Sequence, residues 1–255
     1  MQRRPRTSRR LPATAALLAC LGLGAVPAAQ QRPDFTGVWT TYTDPGQGRG
    51  GRGGGRGGGG GDLPLRPEAE ENVAHYRALV EGTGASPGGF CLGSGMPGSM
   101  LGSGGYPMEI HQRPEQFIIV YEAHNEVRRV YLGDRIVPME DRLPGRNGHS
   151  SGRWEGDTLV VETTHLVEQV DQRYAHSDRA TIVERYHLEG GANGETVLVA
   201  EMTMTDPVFY TEPVTATKKW AKVPNGHLLP YECAEENWLK FLDEREELVG
   251  AAESR

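Results

Sequence analysis

Two histidines and one glutamate stand where acid–base chemistry could take place. His149 follows Asn147-Gly148 at the start of one predicted strand, and His176 precedes Ser177 near the start of another. Histidine exchanges protons near neutral pH because its unperturbed pKa is about 6.5. Junctions between loops and strands are frequent places for functional residues. We therefore predict His149, His176 and Glu184 as candidate catalytic residues, with capping or surface roles for the histidines as the alternative.

Glu184 lies on an apolar face of its predicted strand. Ile182, Glu184 and Tyr186 share this face, because successive side chains of a strand point to opposite sides. An unpaired charge among apolar groups costs several kcal/mol, so Glu184 needs a partner. Two interpretations stay open. Glu184 forms a structural ion pair with Arg129 or Arg185, or its burial tunes it as a general acid or base.

The same alternation predicts further side chains in a barrel interior. Arg129 and Tyr131 fall on one side of their strand, and Glu122 shares a side with apolar residues. Polar groups in phase with apolar neighbours face the lumen of a small barrel. We therefore predict Glu122, Arg129, Tyr131 and Tyr186 as ligand-binding residues.

A metal site could form only if separate segments converge. Two histidines and one carboxylate, His149, His176 and Glu184, match the ligand set of a catalytic zinc site or a facial triad. No local spacing such as His-x-His supports it. The chain also lacks a Gly-x-Ser-x-Gly elbow and a phosphate-binding loop. We therefore expect no cofactor, with a metal ion at these three residues as the alternative.

Short β-rich segments form the elements that must position these side chains. Many short strands joined by hairpin-length turns favour an antiparallel sandwich or barrel. The predicted strands lie near 33–42, 107–112, 116–123, 126–132, 150–155, 158–164, 179–188, 195–205, 213–221 and 227–233. One helix over 65–80 precedes most of them, and a second over 234–248 follows them.

The first strand carries a signature that favours a barrel. Gly37-Val38-Trp39 resembles the Gly-x-Trp motif that opens lipocalin-type barrels, in which the tryptophan closes one end and an arginine packs over it. We therefore predict a mainly β fold, an antiparallel lipocalin-like β-barrel of about 8–10 strands with one helix before it and one C-terminal helix.

The chain divides into four parts. Residues 1–29 have a basic start, a short apolar run and small residues at their end, which predicts a cleavable signal peptide. Residues 30–45 form the first strand of the barrel. Residues 46–62 are almost all glycine and arginine and predict a disordered loop. Residues 63–255 form the helix, the rest of the barrel and the C-terminal helix.

The leader determines the expected compartment and partners. Its removal takes away five arginines and changes the formal net charge from −7 to about −12, which disfavours nucleic acid as a partner. We predict a periplasmic or secreted protein that binds a small apolar molecule, no nucleic acid and no membrane unless Cys20 is lipidated. Cys91 and Cys233 remain after cleavage and predict one disulfide in an oxidising compartment, with two buried thiols as the alternative.

Several blocks in order along the chain resemble a family of uncharacterised exported bacterial proteins. The blocks are PDFTGVW at 33–39, NEVRRVYL at 125–132, GHSSGRWEGDTLVV at 148–161, HSD at 176–178 and YECAEEN at 231–237. The resemblance covers roughly residues 33–238. It implies export and a lipocalin- or calycin-like barrel, and it carries no activity over to this chain.

Three functions fit these observations. The first is a cofactor-independent acid–base enzyme (an isomerase, lyase or hydratase) acting on a small apolar substrate in the barrel lumen. The second is a non-catalytic carrier or sensor of a hydrophobic ligand. The third is an envelope interaction domain with a filled core and no ligand. An open lumen with converging histidines would favour the first, and a filled barrel the third.

Overall fold

A computed structural model of the chain describes residues 32–45, 63–102 and 105–253. The predicted signal peptide, Cys20 and the Gly/Arg-rich segment 46–62 lie outside the described residues. No helix within the described ranges is long and apolar enough to cross a membrane.

Nine strands within these ranges close into one barrel in chain order, with β9 paired back to β1. The predicted mainly β barrel is therefore confirmed. The strands are β1 Gly37–Thr41, β2 Met108–Arg113, β3 Gln116–Tyr121, β4 Glu126–Leu132, β5 His149–Glu155, β6 Thr158–Thr164, β7 Thr181–Gly190, β8 Thr196–Thr205 and β9 Val214–Val223. The segment 227–232, predicted as a strand, is irregular and leads into a helix.

One pair of neighbouring strands departs from the antiparallel pattern. β4 and β5 run parallel, with Val130 opposite Ser150 and Leu132 opposite Gly152. A parallel pair cannot be joined by a tight turn, because the chain must return to the end where the first strand began. Residues 133–148 make this return outside the ladder, and their last residues place the start of β5.

Three α-helices in the described part of the chain accompany the barrel: α1 Pro67–Val80, α2 Gly98–Leu101 and α3 Cys233–Glu253. α1 begins with a proline at its first position and two acids in its first turn, both favourable at a helix N-terminus. It buries Ala69 and Val73 in the core. The backbone N–H of Arg66 donates to the Phe209 carbonyl, which ties α1 to the β8–β9 connection.

The predicted disulfide between Cys91 and Cys233 is present and joins the first residue of α3 to the segment before α2. The Asn237 side chain donates to the Gly89 carbonyl beside this bond. Most described side chains of α3 are exposed, including Trp238 and Phe241. The disulfide is therefore a main attachment of this helix to the rest of the chain.

Apolar side chains close the barrel end at which β2 turns into β3. The Phe35 ring lies 6.0 Å from Phe117 and 5.5 Å from Trp154. Trp39 lies further inside, and its indole N–H donates to the Phe35 carbonyl at 2.9 Å. The Lys222 ammonium stands 5.5 Å from the Trp39 ring. A lysine of the last strand thus holds the place that the lipocalin signature assigns to an arginine.

The other end is covered by residues 93–101, which buried and half-buried polar side chains hold in place. Glu126 accepts from the Gly95 N–H and the Ser99 hydroxyl. Arg146 donates to the Gly93 carbonyl, and Gln169 donates to the Ser94 carbonyl. These bonds fix a segment whose Met96 and Met100 side chains lie in the core.

We predict that Gly148 is required for the start of β5. Its φ of +58° is unfavourable for other residues, and an added Cβ would lie 2.5 Å from the Thr164 carbonyl oxygen. Gly148→Ala should lower the free energy of unfolding in urea by about 3 kcal/mol or more. Gly156 is the matched control, since its φ is +61° with nothing within 4 Å of the added Cβ. Gly156→Ala should cost only about 1 kcal/mol, and equal losses in both variants would contradict the steric argument.

Candidate functional site

A buried polar network crosses the barrel interior and is centred on Arg128. This residue is 1% exposed on the inner face of β4. Its guanidinium donates to both carboxylate oxygens of Glu184, and the bond to Oε1 is 2.9 Å long. It also donates to the Thr163 hydroxyl at 2.8 Å and the Ser150 hydroxyl at 3.1 Å. The arginine thereby links inner faces of β4, β5, β6 and β7.

Two buried tyrosines lie beside this ion pair, Tyr186 with a hydrogen bond to it and Tyr121 with no hydrogen-bond partner for its hydroxyl among the described residues. The Tyr186 hydroxyl donates to Glu184 at 2.7 Å. Burial raises the pKa of Tyr186, and the Glu184 carboxylate beside it raises that pKa further. Burial likewise raises the pKa of Tyr121. Both phenols are therefore neutral at physiological pH, and the Tyr186 hydroxyl can act only as a donor to the carboxylate.

The network favours a structural ion pair over acid–base catalysis by Glu184. Both carboxylate oxygens accept from Arg128, and one of them also accepts from Tyr186. A general base needs an oxygen that can reach a substrate proton. Here the carboxylate is fully buried and its bonding positions face protein donors.

The partner of Glu184 differs from the two that the sequence suggested. Arg128 faces inward, whereas Arg129 points to the outer side of β4. Arg185 also lies on an outer face and pairs with Glu155 at 2.9 Å. The prediction of which β4 side chains face inward was wrong by one residue. The sequence of β4 carries adjacent arginines between apolar residues, so either set of alternate residues could face inward.

The remaining predicted ligand-binding residues are dispersed. Tyr186 faces the interior as expected. Tyr131 lies with Arg129 on the outer side of β4, so the expected inward orientation was wrong for both. Glu122 follows the end of β3, is 7% exposed, and accepts from the Leu229 N–H at 2.7 Å. Glu122 thus anchors the segment that leads to α3.

His149 lies on the outer side of the barrel wall. Its neighbour Ser150 faces inward, and the His149 ring stacks on Tyr131 at 5.2 Å. Burial lowers the pKa of His149, and its electrostatic interactions with Arg142 and His165 lower that pKa further. Its Nε2 is buried and has no hydrogen-bond partner among the described residues.

His176 is fully buried in the connection between β6 and β7. Its backbone forms a bridge with Gln169, and its Nδ1 donates to the Tyr174 carbonyl at 3.1 Å. This bond leaves Nε2 as an acceptor, and no described residue donates to it. Burial lowers the pKa of His176 despite the bond to Tyr174.

The three candidate catalytic residues occupy three different environments. Glu184 is inside the barrel, His149 is on its outer side and His176 is in a connecting segment. Among the described residues, no group of three or more His, Cys, Asp and Glu side chains is arranged to hold a metal ion. The arrangement therefore lends no support to a shared acid–base or metal site at these residues, and their catalytic roles stay a prediction.

Sequence reasoning missed an inward-facing lysine on β9. Lys218 pairs across the ladder with Ala200, lies on the same face as Ala216 and Trp220, and is 8% exposed. No described residue forms a hydrogen bond or ion pair with its ammonium group. Burial lowers the pKa of Lys218. The alternation along 214–220 could have revealed this residue, because a charged group there interrupts an apolar face.

The next residue along the strand shows the contrast. Lys219 faces outward, and its ammonium lies 2.7 Å from Glu189 and 3.3 Å from Asp44. The Glu189 carboxylate raises the pKa of Lys219 above its ordinary value. Two adjacent lysines therefore have opposite environments, one paired at the surface and one unpaired in the wall of the core.

Comparison of the chain with the sequence profiles of protein families, with curated proteins and with solved structures finds no match in any of the three. The assignment of function therefore depends on the residues of this chain alone.

We predict that the ion pair inside the barrel stabilises the fold mainly through mutual neutralisation. Glu184→Gln leaves the buried guanidinium without a counter-charge and should lower the free energy of unfolding by about 3–5 kcal/mol. The double variant Arg128→Met, Glu184→Gln should recover most of this loss, since it removes both charges. Urea denaturation of the wild type, Glu184→Gln, Arg128→Met and the double variant measures the coupling.

Arg185→Met is the control for that cycle, because it removes an exposed ion pair with Glu155. Exposed pairs contribute little to stability, so this variant should unfold nearly as the wild type does. Equal losses for Glu184→Gln and Arg185→Met would contradict the role assigned to the buried pair.

A second prediction concerns pH. The pKa of His176 is lower in the folded state than the unfolded value of about 6.5, so the unfolded chain takes up the proton first as pH falls. The free energy of unfolding should therefore decrease as pH falls below about 6.5. His176→Asn, whose amide can donate to the Tyr174 carbonyl in place of Nδ1, should reduce this decrease.

Urea denaturation at several pH values measures the effect, with His75→Asn on the exposed side of α1 as the control for loss of a histidine. His149 also has a lowered pKa, so part of the acid sensitivity should remain. An unchanged pH dependence in His176→Asn would refute the assignment.

Proposed function

We propose that this chain is an exported β-barrel that binds a small, largely apolar molecule in its interior, as a carrier or sensor. The observation that carries the proposal is the inward-facing Lys218, whose ammonium has no partner among the described residues. Polar groups buried in folded proteins are normally paired, and unpaired ones mark functional positions. Arg128, also on an inner face of the barrel, is paired with Glu184, whereas Lys218 has no such counter-charge among the described residues.

The surroundings of Lys218 suit an apolar ligand. Ala200 lies directly opposite on β8, and Ala216 precedes it on the same face of β9. Small side chains on an inner face leave more of the lumen to a ligand than large ones do. Met202 and Trp220 provide larger apolar surfaces on the same two strands. Ligand sites combine such apolar walls with a few polar groups.

Binding without catalysis fits the geometry better than acid–base chemistry. Catalytic acids and bases must reach one substrate within hydrogen-bond distance. His149, His176 and Glu184 lie in separate environments, and Glu184 is occupied by Arg128 and Tyr186. We therefore place the binding function first.

Export is part of the proposal. The basic and apolar leader predicts secretion, and the Cys91–Cys233 disulfide is typical of proteins that fold in oxidising compartments. The acidic remainder of the chain fits a partner that is neither nucleic acid nor an anionic surface.

An interaction domain is the second candidate. Trp238 and Phe241 stack at 5.4 Å on α3 and are 58% and 47% exposed. Exposed aromatic side chains of this kind are enriched in protein interfaces. This candidate requires no ligand inside the barrel.

The first test is native mass spectrometry of the mature protein purified from the periplasm, with denaturing mass and metal analysis of the same sample. We expect a co-purifying small molecule at the stoichiometry of one site. A clean mass without ligand would count against the binding function and in favour of the interaction domain.

A matched pair of variants tests the location of the site. Ala216→Leu places a larger side chain on the inner face, while Thr217→Leu places the same side chain on the outer face. Only Ala216→Leu should abolish binding, and it should change the melting temperature little, because an interior that accepts a ligand also accepts the larger side chain. If the interior is filled, Ala216→Leu should instead cost about 1–3 kcal/mol of stability, which would contradict the proposal.

A further inference from the structure

We infer that the interior site takes an anionic amphiphile, a molecule with one carboxylate and an apolar body, and that the Lys218 ammonium pairs with the carboxylate. This inference rests on the proposed binding function and names the ligand class of the same site. It follows from the charges, register and neighbours of the inner face of β8 and β9.

The charges of the interior do not balance around Lys218. The Arg128 guanidinium is neutralised by Glu184. The Lys222 ammonium, at the end closed by aromatic rings, contacts the Trp39 ring. The inner face of β8 opposite Lys218 carries Leu198, Ala200, Met202 and Met204, none of which can supply a negative charge. A ligand carboxylate would supply it.

The cost of an unpaired ammonium indicates the sign of the ligand's charge. Moving a cation out of water into an apolar wall is unfavourable unless an anion accompanies it. Most of the Lys218 side chain is shielded from water with no anion beside it, and a bound carboxylate would offset the cost of that burial. A neutral or cationic ligand would leave the cost in place or increase it. Electrostatics therefore select an anion over an uncharged molecule with the same apolar body.

The number and type of basic groups limit the class of anion. Lysine is a compact point charge with three donors, while arginine is the usual partner for bidentate recognition of carboxylate or phosphate. Arg128, the one buried arginine among the described residues, is occupied by Glu184. A single ammonium matches one negative charge, so a monocarboxylate fits better than a phosphate dianion.

The apolar neighbours define the rest of the molecule. Ala200 and Ala216 flank the lysine, and Trp220 lies two residues beyond it on the same face. An aliphatic or aromatic body bound there would bury apolar surface while its carboxylate meets the ammonium. The site would therefore match such a ligand, because its one ammonium meets the carboxylate and its apolar side chains meet the apolar body.

Decanoate and decan-1-ol form the matched pair of probes, because they share a chain length and differ in charge. Isothermal titration calorimetry would measure both with the delipidated mature protein, Lys218→Met and Lys219→Met. Methionine keeps the length of the lysine stem and removes its charge. Lys219→Met is the control, since it removes the neighbouring lysine from the outer face.

We expect the wild type to bind decanoate more tightly than decan-1-ol. Lys218→Met should lose about ten- to hundredfold in affinity for decanoate, as expected for loss of a charge-assisted hydrogen bond, and little for decan-1-ol. Lys219→Met should bind both probes as the wild type does. A thermal melt of each variant establishes that it is folded.

Two results would overturn the inference in distinguishable ways. Equal binding of both probes, or an unchanged affinity of Lys218→Met for decanoate, would contradict an anionic ligand paired with Lys218. Either result would leave the proposed binding function intact. Binding of neither probe by folded wild-type protein would reject the anionic amphiphile, and it would also count against the proposed function if native mass spectrometry found no ligand.

Discussion

A buried ion pair that must be satisfied on every side sets the main constraint on this barrel. Arg128 and Glu184 come from strands separated by the long return 133–148 and by two further strands, yet each is almost fully shielded from water. Their mutual bonds, with Ser150 and Thr163, require β4 to β7 to meet in one register. A shift of one residue in β4 would turn Arg129 inward in place of Arg128, and it would expose Val130 and Leu132. The ion pair and the apolar residues of β4 therefore specify its register together.

A second group of polar side chains acts at the end of the barrel in the same manner. Glu126, Arg146 and Gln169 reach from β4 and from the connections around it to the backbone of residues 93–95. Glycine-rich segments have high conformational entropy, so such a cover needs many bonds to be held in place. Hydrogen bonds from the barrel therefore order this segment. In turn, the segment contributes the Met96 and Met100 side chains to the core.

The sequence predicted the elements of the fold better than it predicted the site. Alternation identified the inner face of β7, because Ile182, Glu184 and Tyr186 leave only one phase that buries apolar groups. It failed on β4, where each of the two phases turns one arginine and two apolar or aromatic residues inward. The parallel pairing of β4 and β5 could not be predicted from the sequence either, because the relative direction of the two strands depends on the path of residues 133–148 in space. The alternation along 214–220 predicts an inward-facing Lys218, but residue type alone does not mark it, because most lysines lie at the surface.

The pairing of the first strand with the last has a consequence for how the chain folds. β1 lies between β2 and β9, and Val38 pairs with Val223 near the far end of the barrel sequence. Strands β2 to β4 and β5 to β9 can form by local hairpins, but closure brings together residues far apart in the chain and is slow for that reason. During synthesis β1 emerges from the ribosome before the other strands and β9 emerges after them, so the two can pair only when most of the chain has been made. Until then both β1 and β9 have an unpaired edge, so the interval before closure is when this protein is most exposed to intermolecular strand pairing.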